Sequence, residues 1–417
     1  MKFSAHPVWL VGFRPFFLLA CLSGLSLPVL WALMFTDVLP APAGRFSPVQ
    51  WHAHEMFFGF GWAVIGGFLL TSTKNWVQVR GYHGAALIGL AAAWGFERVG
   101  MAFGGAWPGW LFWLSNLAFL GCIVVMLLWT LLRYHKQDSF RDNYFFLFVL
   151  PAFLAAKLLI LDTGHFQAGW TMAIGLFRMA FLVMLERTLT QFMKGVFQAE
   201  LLRDPRLDAA IKLSALTLVF QAWLPSWLAG ALLLVCAVLL LVRFAGWKPG
   251  LAMTRIDLAV MYLGYLAIVG QLLLELAGIV WAPVWVGSVS VHLFSFGVMG
   301  LIIPPMLVRI SKGHTGRKVV FDAGDKLLIW IMLAALVVRI VLPQFMPEVY
   351  GRWVHVSAGG WFLCCTILGA RLLPIPPPPP PNPPPPPPFG PVPPPPPTPR
   401  GSSLPANPNP RPPRLPP

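Results

Sequence analysis

Residues 51–73 read WHAHEMFFGFGWAVIGGFLLTST, from Trp51 to Thr73. Past Glu55 the stretch carries no charge until Lys74. An apolar run of this length predicts one helix crossing a membrane. Its first turn is unusual for such a helix, because His52, His54, Glu55 and Met56 all fall there. Ionisable groups in a bilayer cost roughly 2.5–3.5 kcal/mol each on insertion scales, so they ordinarily face the bundle interior or a cavity. Side chains three and four apart share a helix face. That puts His52, Glu55, Met56 and Gly59 on one stripe, and His54, Phe58 and Gly61 on another. The two histidines lie about 200° apart, so a regular helix cannot aim both at one atom. One is a candidate metal or haem ligand with the other supporting it; alternatively, His54 sits at the membrane interface.

The rest of the chain shares this character. Of 417 residues, 57% are hydrophobic and 11% charged, against about a quarter charged in an ordinary soluble domain. A bilayer excludes unpaired backbone groups, and the apolar runs are too long for barrel strands, so the expected fold is an all-α polytopic membrane protein. The net charge is +15. The basic residues are spread over short loops, so the expected partner is membrane lipid and no nucleic acid is expected. Cys21, Cys122, Cys236, Cys364 and Cys365 lie in apolar runs without a CxxC pair, which points to neither a disulfide framework nor a thiolate zinc site. The first apolar run carries Arg14 and lacks a clean cleavage site, so no cleaved signal peptide is expected.

Hydropathy predicts about twelve spans, near 8–35, 50–73, 83–101, 108–132, 143–161, 166–188, 209–226, 228–244, 254–279, 284–309, 323–343 and 351–373. A short proline turn at Trp223-Leu-Pro-Ser-Trp227 divides the seventh from the eighth. The loops after even-numbered spans hold nearly all the basic loop residues, from Lys74 and Arg80 to Lys312, Arg317 and Lys318, whereas those after odd-numbered spans hold only Arg45 and Arg352. The positive-inside rule then predicts both termini on the cytoplasmic face of the membrane. Residues 1–373 form the expected membrane domain. Proline fills more than half of residues 374–417, which predicts a polyproline or disordered tail without a core or a part in the chemistry.

With this topology most intramembrane ionisable groups share the outer half. His52 and His54 open the second span, and His292 lies about 12 Å into the tenth. Glu97 and Arg98 come late in the third span, Lys157 ends the fifth, Glu275 the ninth and Arg339 the eleventh. His165 falls in an outer loop, His355 opens the last span and Arg178 lies near the midplane. Lys157 and Arg339 alone could snorkel to the surface, and His292 could be a hydrogen-bonded core histidine. Taken together, such groups mark a cofactor, proton relay or substrate path.

Two chemistries fit. Neutral imidazole ligates haem iron, with Arg98 and Arg339 available to its carboxylates. Copper also accepts imidazole and thioether sulfur, so His54, Met56 and a second histidine could share a metal site. Alternatively, Glu55, Glu97 and Glu275 with the cations form a relay in a proton-coupled solute or metal transporter without a redox cofactor. Gly59, Gly61, Gly66 and Gly67 permit close helix approach in either case. On the inner side, His314 lies in Ile310-Ser-Lys-Gly-His-Thr-Gly-Arg317, which reads as a helix end and turn or as a peripheral metal or anion site.

Phe13-Arg-Pro-Phe-Phe17, His52-Ala-His-Glu-Met56, Gly66-Gly-Phe-Leu-Leu-Thr71 with Asn75-Trp76, and Ser311-Lys-Gly-His-Thr-Gly-Arg317 together resemble the NnrS family. The resemblance runs from about residue 8 to about 373. It implies a bacterial membrane protein of the nitric oxide response, containing haem and copper, acting against nitrosative stress and often beside denitrification enzymes. Carried onto this chain, it implies His52, His54, His292 and His314 as ligand candidates, with Glu55 beside them, but does not divide them between haem and copper. The implied small ligand is NO or a relative; the reaction and the electron donor are not named by it. A fainter likeness is to haem–copper oxidases and nitric oxide reductases. The chain lacks their paired histidines and His-Glu-Val-Tyr motif, which argues against a full binuclear centre.

Overall fold

A computed structural model describes residues 3–42, 46–138, 141–201 and 203–372, without the side chains of 74, 75, 141 and 142. The proline-rich tail and Arg45 lie outside the described residues. The described chain is helical throughout, with no strand.

The main helices in chain order are α1 (Phe13–Phe35), α2 (Pro48–Thr73), α3 (Ala85–Phe103), α4 (Gly109–Arg133), α5 (Phe145–Leu161), α6 (Phe166–Phe197), α7 (Pro205–Thr217), α8 (Ser226–Gly246), α9 (Ile256–Val280), α10 (Val289–His314), α11 (Ala323–Ile340) and α12 (Tyr350–Leu372). Ten helices among the described residues are long and apolar enough to cross a membrane. The expectation of twelve is therefore met only in part. The expected fifth span is the 17-residue helix α5. The expected seventh is the 13-residue helix α7, which gives way to a 3-10 turn at Leu218–Trp223 where Phe220 leaves helical geometry. Thirteen residues rise only about 20 Å, short of a hydrocarbon core of about 30 Å.

Side-chain caps start several helices. Ser47 and Gln50 form a reciprocal capping box at the head of α2, with Pro48 in its first turn. Asp204 caps α7, and Asp322 with Asp325 caps α11. Tertiary contacts show that the helices alternate in direction. The Phe13 amide donates to Thr71 Oγ1 at 2.8 Å, joining the start of α1 to the end of α2. At the opposite end Trp31 stacks on His52, with centroids 4.3 Å apart. Gln50 there donates to the Ile160 carbonyl at 3.1 Å, which brings the end of α5 to the head of α2.

The two ends differ in chemistry. At the end where α10 finishes, buried carboxylates neutralise the loop cations. Asp208 pairs with Arg243 at 2.9 Å, and Glu186 with Lys212 at 3.1 Å and with Arg203. Asp257 holds Arg309, and Asp325 holds Lys312 and Arg371. The sequence pattern marked these cations as topology signals; the structure adds that several tie neighbouring helices together. The opposite end, where α2 begins, carries the histidines.

Candidate cofactor site

Two helices near this end leave α geometry immediately after a histidine. In α2 a π-helical segment runs Glu55–Gly61, and in α10 another runs Leu293–Met299. The same residue types recur at matching offsets. Phe58 and Gly59 stand four and five residues past His54, as Phe296 and Gly297 stand past His292. A π turn is wider than an α turn, so it re-aims the side chains that follow, and such turns concentrate at functional sites. This repeated offset was legible in the sequence, but hydropathy does not register it.

Between these segments lies a cavity of about 440 Å³, in the usual range for small-molecule sites. His52 and Met56 reach it from α2, Ser295 and His292 from α10, Arg339 from α11 and Tyr350 from α12. Trp31, Phe57, Phe60 and Trp361 supply apolar wall. The His52 ring lies flat on Trp31, at an interplanar angle of 13°, and its Nδ1 is buried without a hydrogen-bond partner. His292 is held more tightly. Its Nδ1 lies 2.8 Å from the Ser288 carbonyl, which can only accept, so Nδ1 carries the proton. Its Nε2 lies 2.9 Å from Arg339 Nη2, which can only donate. His292 is therefore the neutral Nδ1–H tautomer, with the Nε2 lone pair directed at Arg339. Arg339 is 7% exposed, and its Nη1 is buried without a hydrogen-bond partner.

His54 belongs to a separate cluster. It is fully buried, with Nδ1 3.3 Å from Glu55 Oε1 and Nε2 3.5 Å from Glu97 Oε1. Arg98 donates to Glu55 Oε2 at 2.8 Å and also to Glu97. Lys157, 0% exposed, donates to Glu97 at 2.6 Å and to the Asn116 carbonyl. Two carboxylates thus balance two cations. Gly59 makes this possible, because a Cβ there would stand 2.0 Å from Arg98 Nη1. Glu55 leaves the stripe it was expected to share with His52. Its side chain turns to the His54 side, where the Arg98 guanidinium holds it. Arg98 is committed to two carboxylates and, unlike Arg339, does not line the cavity. Lys157 does not snorkel; it is an interior ion-pair partner.

The remaining candidates are dispersed. Glu275 pairs with Arg178 at 3.5 Å and with Gln271 in a third buried group. Arg178, near the expected midplane, donates to Gln271 at 2.8 Å. His314 packs on Phe13 with centroids 5.4 Å apart, at the opposite end from the cavity, so it does not join the other histidines. His165 is exposed beside Asp162, and His355 meets Thr36 at 3.0 Å. Among the described residues no three His, Cys, Asp or Glu side chains gather as a metal cluster. Sequence reasoning missed Trp31, Ser288 and Tyr350, which have ordinary residue types at unremarkable positions.

The donor set at the cavity suits a group that brings most of its own coordination. A macrocyclic iron needs only one or two protein ligands, and His52, His292 and Met56 offer imidazole and thioether donors. The orphaned His52 Nδ1 and Arg339 Nη1 are buried polar atoms that a bound, carboxylate-bearing guest would be placed to satisfy. A bare copper ion would need a denser protein ligand set.

Among curated proteins no match to the chain is found. The family model described as NnrS protein matches residues 7–376, nearly all of the helical region. A match that covers most of the chain leads to one conclusion: the chain belongs to the NnrS family.

Proposed function

We propose that this membrane protein acts in the response to nitric oxide by holding haem in the cavity between the π segments of α2 and α10. The observation that carries the reading is the convergence of His52, Met56, His292 and Arg339 on one apolar cavity. His52 and His292 would hold the iron through imidazole nitrogen, and Arg339 would pair with a carboxylate. His54 instead belongs to the ion-paired cluster that supports α2. Bound iron would supply a coordination position for NO or a related small ligand. The chain's own contribution is an aromatic wall and a fixed tautomer at His292. Glu55 and Glu97, which flank His54, are candidates to move protons. The cation-rich end, where Arg309 and Lys312 lie, is assigned to the cytoplasm, which puts the cavity in the outer half of an inner membrane.

The test is the absorption spectrum of purified protein, before and after adding haem. A Soret band that weakens or shifts in His52→Ala and in His292→Ala, but keeps its position in His54→Ala, supports the reading. A protein that stays colourless after haem reconstitution removes it, and the buried Glu55, Glu97, Arg98 and Lys157 would then favour a transporter. Metal analysis of the same samples reports whether copper is present.

A further inference from the structure

We propose that Arg339 is a removable cap on the ligating nitrogen of His292, so that the site selects metal complexes carrying carboxylates over bare metal ions. The inference rests on the cavity reading above and concerns how its ligand is chosen. The atom in question is His292 Nε2. The Ser288 carbonyl 2.8 Å from Nδ1 leaves Nε2 as the lone-pair nitrogen, and Arg339 Nη2 covers that lone pair at 2.9 Å. A metal-ligating histidine ordinarily donates its other nitrogen to such a carbonyl. The imidazole is therefore already oriented for coordination and is blocked by one hydrogen bond.

The cap has somewhere to go. Arg339 closes the cavity wall beside Tyr350, over whose ring its guanidinium carbon stands at 5.3 Å. Among the described residues no Asp or Glu lines this cavity, so none of their carboxylates competes for the arginine there. A ligand carboxylate entering the cavity would pair with the guanidinium in the fork geometry that arginine favours, and Arg339 would release Nε2. No proton need move, since Nδ1–H stays on Ser288 and the lone pair passes from the Arg339 N–H to the metal. An ion or macrocycle without carboxylates has nothing to draw the cap away.

The experiment uses the full-length, haem-free protein in detergent, as wild type, Arg339→Met, Arg339→Lys and Arg339→Met/His292→Ala. Each is titrated with haem, with an iron porphyrin lacking carboxylates, and with Ni(II) alone. The expected result is that Arg339→Met binds the carboxylate-free porphyrin and Ni(II) about tenfold or more tightly than wild type, the size of a lost charged hydrogen bond. The double variant should lose that gain, and Arg339→Lys, which keeps a donor, should stay near wild type. Equal affinity of wild type and Arg339→Met for both carboxylate-free probes overturns the proposal. The Ni(II) arm separates the two ideas. If no porphyrin binds but Ni(II) still binds more tightly to Arg339→Met through His292, the cap stands and the haem reading fails. If haem binds and shows a Soret band without any such gain, the haem reading stands and the cap fails.

Discussion

Replacing Lys157 by methionine tests the ion-paired cluster most directly. Glu55 and Glu97 are balanced there by Arg98 and Lys157, all of them at most 14% exposed. Lys157→Met keeps the side chain's length but removes one cation. Glu97 then loses its 2.6 Å partner, its Oε2 already lacks a hydrogen bond, and the Asn116 carbonyl loses a donor. Removing one member of a buried pair typically costs about 3–5 kcal/mol, because a charge is left uncompensated. That corresponds to about two to four orders of magnitude in the folding equilibrium. Glu97→Gln added to Lys157→Met restores neutrality and leaves Arg98 with Glu55, so the double variant should recover more than half of the loss. The assay is equilibrium unfolding in mixed micelles with a denaturing detergent. A single variant within about 0.5 kcal/mol of wild type, or a double variant whose loss is the plain sum of the two singles, refutes the argument. Additive losses would mean that the two groups do not interact.

Three other outcomes follow from the same geometry. Gly59→Ala places a Cβ 2.0 Å from Arg98 Nη1, so it should cost about 1–3 kcal/mol by overpacking, measured in the same unfolding assay. Arg309→Met at the opposite end removes one of the two cations paired with the buried Asp257, which keeps Arg255 at 3.1 Å; a loss below the about 3–5 kcal/mol of a fully uncompensated charge is expected, and Asp257→Asn should reverse part of it. Hydrogen bonding to His165 holds the Asp162 carboxyl below its ordinary 3.8. A depressed acid stabilises the fold above its unfolded pKa and loses that contribution as pH falls through the folded value. The stability difference between wild type and His165→Ala should therefore persist above about pH 4 and shrink below it, read from unfolding midpoints across that range. A difference that grows as pH falls below about 4 would refute the assignment.

Much of the architecture is written along the chain. Uninterrupted apolar runs bounded by Pro, Gly and basic loops place the helices, and a charge-free run such as 56–73 can satisfy its backbone in a bilayer only as helix. The alternation of basic and neutral loops likewise matches the contacts that join helix ends, from Phe13 with Thr71 to Arg371 with Asp325. The shortfall lies at α5 and α7, where apolar composition ran ahead of length, and a mean over a window cannot detect the non-helical geometry at Phe220.

The site divides in the same way. Residue type and depth were enough to collect His52, His54, Glu55, Glu97, Lys157, His292 and Arg339 at one end of the bundle. Which of them face a cavity and which face one another was settled by atoms from other helices. Glu55 can reach either face of α2; Arg98 on α3 and the missing side chain at Gly59 turn it toward His54. His292 holds its lone pair toward the cavity wall because Ser288 and Arg339 impose one tautomer. Hydropathy is a sum over neighbours in the chain and so determines where helices lie. The direction of a buried charge depends on partners dozens of residues away, and only the packed tertiary structure brings those within hydrogen-bonding distance.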